Sequence, residues 1–121
     1  MRQETGKTAY YAGDAAEQRV ACHYVLSGHD IVHRRWRGAG GEIDLIARDG
    51  DTVVFIEVKK SKTFAQAAAS LGQRQIARIY SAAEAFLADE PAGSLTDTRI
   101  DVALVDAAGQ VSVLENAILA T

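Results

Sequence analysis

From Thr8 to Ser27 the apolar residues Tyr10, Ala16, Val20, Cys22, Tyr24 and Val25 recur among Asp14, Glu17, Gln18 and Arg19. That spacing predicts an amphipathic helix, and Gly28 can take the left-handed conformation that ends one. Asp30 to Arg37 follows as a strand carrying Ile31, Val32 and Trp36, and Gly38-Ala39-Gly40-Gly41 breaks it into a turn. The clearest strands are Glu42 to Arg48 and Thr52 to Lys59, separated by the hairpin signal Asp49-Gly50-Asp51. A second helix is predicted from Ser70 to Asp89, with Leu71, Ile76, Ile79, Ala83, Phe86 and Leu87 as its apolar stripe, ended by Pro91 and Gly93. The low-complexity stretch Thr63 to Ser70 reads as a helix start or a loop. Two short strands, Arg99 to Val105 and Gln110 to Glu115, close the chain around the turn Asp106-Ala107-Ala108-Gly109. The order α-β-β-β-α-β-β predicts an α/β fold, one mixed sheet flanked by helices. With one proline, no internal repeat and no long linker, residues 1–121 are expected to form a single domain, residues 1–9 being a flexible lead.

The central hairpin brings chemistry onto one surface. A loop of Gly50-Asp51, or of the four residues Asp49 to Thr52, sets Asp44 directly opposite Glu57. A loop of Asp49-Gly50 makes Glu57 its diagonal neighbour, roughly 7–8 Å away. Any even loop places Glu42, Asp44, Glu57 and Lys59 on one face, because side chains alternate with period two. Ile43, Leu45, Ala47, Val54, Ile56 and Val58 then form a coherent apolar face, which an odd loop would spoil. Ile46 and Phe55 share the polar face and imply that it is partly covered. Two carboxylates held together in a half-covered cleft repel each other and favour a cation. Oxygen donors of this kind suit Mg²⁺ or Mn²⁺ rather than zinc. The plainer alternative is a solvated polar face in which Glu42 pairs with Lys59 across the strands.

Composition narrows the classes. Hydrophobic residues are 48% and charged residues 24% of the 121 positions, an ordinary globular balance that argues against disorder. No apolar run approaches the ~18 residues of a membrane span, and the charged N-terminus has no hydrophobic segment behind it. The lone Cys22 excludes an internal disulfide framework and a multi-cysteine zinc site, so a reducing cytoplasm is the expected compartment. The net charge of −3 disfavours a protein basic all over but leaves room for a local basic face.

The strings Gly41-Glu42-Ile43-Asp44-Leu45-Ile46-Ala47 and Val54-Phe55-Ile56-Glu57-Val58-Lys59 resemble the YraN family of bacterial proteins. That family is similar to the PD-(D/E)XK nuclease superfamily, and in look to archaeal Holliday-junction resolvases. The resemblance runs from Gly13-Asp14-Ala15-Ala16-Glu17 to Arg99-Ile100-Asp101-Val102. It implies a restriction-endonuclease-like fold and a metal-dependent phosphodiesterase site. Asp44 and Glu57 would bind Mg²⁺ or Mn²⁺ with the Val58 backbone carbonyl as a further ligand. Lys59 would orient water and neutralise phosphate charge, and Glu17 would complete the acidic cluster. The chain departs from the family pattern at Arg35, where Asn is usual, at Lys60-Ser61, where Thr-Arg is common, and at Gln75, where a Lys often stands.

Arg34, Arg35 and Arg37, with Trp36 among them, read as a phosphate-contacting and base-stacking strand, or else as a solvated edge with Trp36 in the core. Lys60, Lys62 and Arg74, with Arg78, would extend the basic rim; a solvated helix surface explains the same charges. His23, His29 and His33 lack metal-ligand spacing, Cys22 reads as packed, and Asp101 as structural, facing a helix end or solvent. The expected function is cleavage of branched or single-stranded DNA. The alternatives are a non-catalytic nucleic-acid-binding or protein-interaction module, and a purely structural dimer; association with a second copy is left open.

Overall fold

The computed structural model describes residues 15–118; the expected flexible lead, and the predicted helix before residue 15, lie outside the described residues. Helix α1 covers residues 15–26, and Gly28 takes φ +89° just beyond it, as the sequence predicts. Strands β1 (Asp30–Gly38), β2 (Gly41–Asp49) and β3 (Thr52–Lys60) form an antiparallel meander. Helices α2 (Phe64–Ala69) and α3 (Gln73–Leu87) and a 3₁₀ turn at Gly93–Leu95 carry the chain across the sheet. Strand β4 (Thr98–Val105) then runs parallel to β3, and β5 (Val111–Leu114) pairs antiparallel to β4. The sheet order is β1-β2-β3-β4-β5, a mixed α/β arrangement with β3 at its centre.

The predicted helix from Ser70 to Asp89 is α3, and the stretch Thr63 to Ser70, read as a helix start or a loop, forms the separate short helix α2. Thr63 caps α2 through its side-chain oxygen, which accepts from the Gln66 N–H at 3.1 Å. Ser70 Oγ donates back to the Ala67 carbonyl at 2.6 Å, and extended Gly72 restarts the chain as the N-cap of α3. A hydroxyl that satisfies a terminal carbonyl, followed by a glycine, supplies the local stop and start.

The sheet is covered on both faces. Ala16, Val20, Ala21 and Tyr24 of α1 pack on Leu45, Ala47, Val54, Ile56, Ala103 and Val105. On the opposite face Ile79, Ala82, Ala83 and Phe86 of α3 pack on Ile46, Phe55, Ile100, Val102 and Leu104. Cys22 and Val25, placed by sequence in the apolar stripe, are exposed because α1 docks through positions 16, 20, 21 and 24. Ile43 is a second correction: it joins the α3 cluster with Ile46 rather than the face of Leu45. The cause lies across the ladder, where Arg35 takes φ +51°. That left-handed residue upsets strict alternation, so His33 and Trp36, three apart, both meet the Phe86 ring edge-on, at 5.4 and 5.3 Å. Trp36 is therefore a core residue.

Asp101 is neither at solvent nor at a helix end. It is fully buried and accepts from the Tyr24 hydroxyl at 2.7 Å, from Arg99 Nε at 3.1 Å and from the Asn116 N–H at 2.8 Å. Burial, and then this hydrogen bond, push the Tyr24 phenol well above its ordinary range.

Candidate active site at the end of the central hairpin

The hairpin loop is Gly50-Asp51, with Asp49 paired to Thr52, so the register is one of those that set Asp44 opposite Glu57. The β2–β3 ladder stops at Leu45 and Ile56, and on the other side β1 and β2 skip the pairing between Arg35 and Asp44. Asp44 thus stands where the sheet opens. The Val58 N–H donates to its Oδ2 at 2.7 Å, so a side chain takes the place of a ladder carbonyl. Glu57 remains paired through its backbone to Val102 of β4 and is only 5% exposed. Glu42, Asp44, Glu57, Gln75, Arg78 and Ile79 line an open cavity of about 280 Å³ between the splayed strands and α3.

Two acids in so little water cannot both ionise easily. Burial raises the Glu57 carboxyl, the neighbouring Asp44 raises it further, and Lys59 only partly opposes them, leaving it at about 8. Burial also raises Asp44, opposed by the Val58 hydrogen bond and by Glu57 as a donor. At neutral pH the pair shares a proton held mainly by Glu57. Lys59 Nζ stands 3.8 Å from Glu57 Oε2.

Gln75 was noticed in the sequence only as a departure, and the structure gives it a place. Its side-chain oxygen accepts from Lys59 Nζ at 2.6 Å, while its nitrogen donates to Glu57 Oε2. It therefore clamps both residues from α3. The signal was helical phase: Gln75 precedes Ile79 by four residues and so shares its sheet-facing side. Gln75→Leu is expected to cost about 1–2 kcal/mol, since it strands partners in a part-buried site, measured by urea unfolding at neutral pH. An unchanged midpoint would show that the clamp adds nothing to the fold.

The other predicted residues divide between the two sides of the sheet. Glu17 is held by Arg35 Nε at 3.1 Å and does not line the cavity. Among the described residues no group of three or more His, Cys, Asp or Glu side chains is placed to hold a metal ion. Lys60 lines a separate hollow with Arg19 and the β4–β5 turn. Arg34, Lys62 and Arg74 are exposed. Arg37 is exposed too, its Nε 3.8 Å from Glu42. No described helix is long and apolar enough to cross a membrane.

Sequence comparison covers the stretch that builds this site. The family described as "Uncharacterised protein family UPF0102" matches residues 16–105, from α1 to the end of β4. A UPF0102 protein of Cereibacter sphaeroides (strain ATCC 17029) is 60% identical over 116 residues, covering 96% of this chain and 99% of that protein. One from Ruegeria pomeroyi is 56% identical over 112 residues, covering 93% and 91%, and one from Dinoroseobacter shibae is 44% identical over 115, covering 95% and 86%. With its hairpin, acids and flanking helices inside the matched span, the chain belongs to the UPF0102 family, the family that carries the name YraN.

Proposed function

We propose that this protein is a Mg²⁺- or Mn²⁺-dependent endonuclease, hydrolysing phosphodiester bonds of branched or single-stranded DNA on a restriction-endonuclease-like sheet of the PD-(D/E)XK class. The observation that carries this reading is the pair Asp44 and Glu57, two carboxyls lining one open cavity, with Lys59 Nζ 3.8 Å from Glu57. A purely structural pair would gain nothing from their mutual repulsion, whereas a divalent ion relieves it. The donor set fits such an ion: hard carboxylate oxygens, one oriented by a backbone N–H, with room for water and phosphate to complete the shell. When bound, the ion would sharpen a water nucleophile and polarise the phosphate.

The chain's own residues divide the remaining work. Asp44 is preset by the Val58 N–H and Glu57 by Gln75, so neither has to be ordered on binding. Glu57 would hold the ion as the carboxylate, its proton released to solvent. The Val58 carbonyl is a further donor by resemblance to the superfamily. Lys59, steadied by Gln75, supplies a cation to the negative charge that grows on the phosphate in the transition state.

Calorimetric titration with Mn²⁺, together with cleavage of a four-way junction and of a single strand, tests the reading. Asp44→Asn is expected to abolish both metal binding and cleavage. Lys59→Met is expected to keep the metal and lose at least about 100-fold in turnover, because its interaction strengthens only in the transition state. If the wild type binds no divalent ion with DNA present or absent, the nuclease reading fails and the non-catalytic module replaces it.

A further inference from the structure

Beside the acidic cavity lies a second, larger hollow of about 490 Å³, lined by Arg37, Gly38, Gly40, Gly41, Glu42 and Arg78. The two share Glu42 and Arg78 and so lie side by side. The floor of the larger one is the turn between β1 and β2, where Ala39 and Gly40 take φ +52° and +77° in succession and Gly38 pairs with Gly41. This is the backbone twist of a tight two-residue hairpin. A side chain at Gly41 would bring a Cβ within 2.2 Å of the Arg78 carbonyl oxygen, so the bare turn sits directly on the α3 backbone. A Cβ at Gly38 would meet the Trp36 ring at 2.5 Å. Close packing of Gly38 on the Trp36 ring and of Gly41 on the Arg78 carbonyl thus holds the bases of Arg37 and Arg78, from two different elements, at fixed places around this hollow.

We propose that this hollow is a phosphate subsite, binding a phosphodiester next to the one presented to Asp44 and Glu57. The inference deepens the nuclease reading and rests on it for the identity of the polymer. Two arginines and one glutamate line this hollow, and Arg37 Nε is 3.8 Å from Glu42 Oε1, a long ion pair that a phosphate can displace. A strand leaving the acidic cavity past Glu42 reaches these arginines next, so successive phosphates meet first the acidic pair and then the cations. Glu42 is the unfavourable partner in the hollow, repelling an incoming phosphate.

Fluorescence anisotropy of a labelled single-stranded oligonucleotide, in EDTA over a salt series, reads the subsite without metal or turnover. Arg37→Gln and Arg78→Gln are each expected to weaken binding about tenfold and to reduce the salt slope by about one phosphate contact. Glu42→Gln is expected to tighten binding several-fold. Both arginines are exposed, so an unchanged melting temperature should accompany their losses. Arg34 faces away, paired with Leu45, which packs under α1. Equal losses on Arg34→Gln, or unchanged affinity and slope in the Arg37 and Arg78 variants, would overturn the subsite. The two readings separate cleanly. Arginine variants that bind normally, beside a wild type that binds Mn²⁺ and cleaves, remove the subsite alone. Arginine variants that lose DNA, beside a wild type without Mn²⁺ binding or cleavage, retain the subsite and remove the nuclease.

Discussion

Asp101→Ala is expected to lower the unfolding free energy by about 3–5 kcal/mol, the loss typical of breaking a buried ion pair from one side. Asp101 is wholly inaccessible, and its carboxylate receives Tyr24, Arg99 and the Asn116 backbone together. Removing it leaves the part-buried Arg99 guanidinium beside His29, which it contacts at 3.2 Å, with the exposed Glu115 at 3.4 Å as its remaining acid among the described residues. The Tyr24 hydroxyl loses its acceptor as well. Tyr24→Phe alone removes one of these bonds and is expected to cost about 1–1.5 kcal/mol. Urea unfolding of the two variants checks both the sizes and their order. Near-equal, small losses would mean that the network is satisfied by water. Because Asp101 ties α1, β4 and the segment after β5, its loss is also expected to steepen hydrogen exchange across all three.

Stability of the metal-free protein is expected to fall as pH rises from about 5 to 8.5, and Glu57→Gln is expected to remove most of that fall. The sign follows from the proton. Glu57 titrates at about 8 when folded and near its ordinary 4.5 when unfolded, so between those values the folded state holds a proton that the unfolded chain has released. Its stabilising share is complete below pH 4.5 and lost as pH passes 8. At about 1.4 kcal/mol per pH unit, the whole window is worth on the order of 5 kcal/mol. Glutamine keeps the shape of the protonated acid. Its oxygen can accept from Gln75 and its N–H can donate to Asp44, so the variant should match the wild type at pH 5 and exceed it by a few kcal/mol at pH 8. Urea midpoints at pH 5, 6.5 and 8 in EDTA are the measurement, and parallel profiles for the two proteins would refute it. Under the nuclease reading, saturating Mn²⁺ should flatten the wild-type profile and leave Glu57→Gln little changed.

What the sequence determined by itself was whatever depends on neighbours along the chain. Alternation through Leu45 to Arg48 and Thr52 to Ile56, closed by Gly50-Asp51, set the register that places Asp44 opposite Glu57. Period two and a short turn leave little choice of register once one face must be apolar. The cover over Ile46 and Phe55 was likewise legible, since apolar residues on a polar face need something above them; that cover is α3. The tertiary structure decided what depends on partners far away in sequence. Strand order and the parallel pairing of β3 with β4 rest on contacts across more than forty residues, and no local pattern encodes them. Arg35 enters a left-handed conformation within the sheet, and the resulting break moved Ile43 to the other face. Asp101 lies 77 residues from Tyr24, so its burial could not be read from a lone acid in a strand. Gln75, too, became part of the site only when α3 was laid against the open end of the hairpin. Local periodicity says which way a side chain points; packing between distant elements says what it meets there.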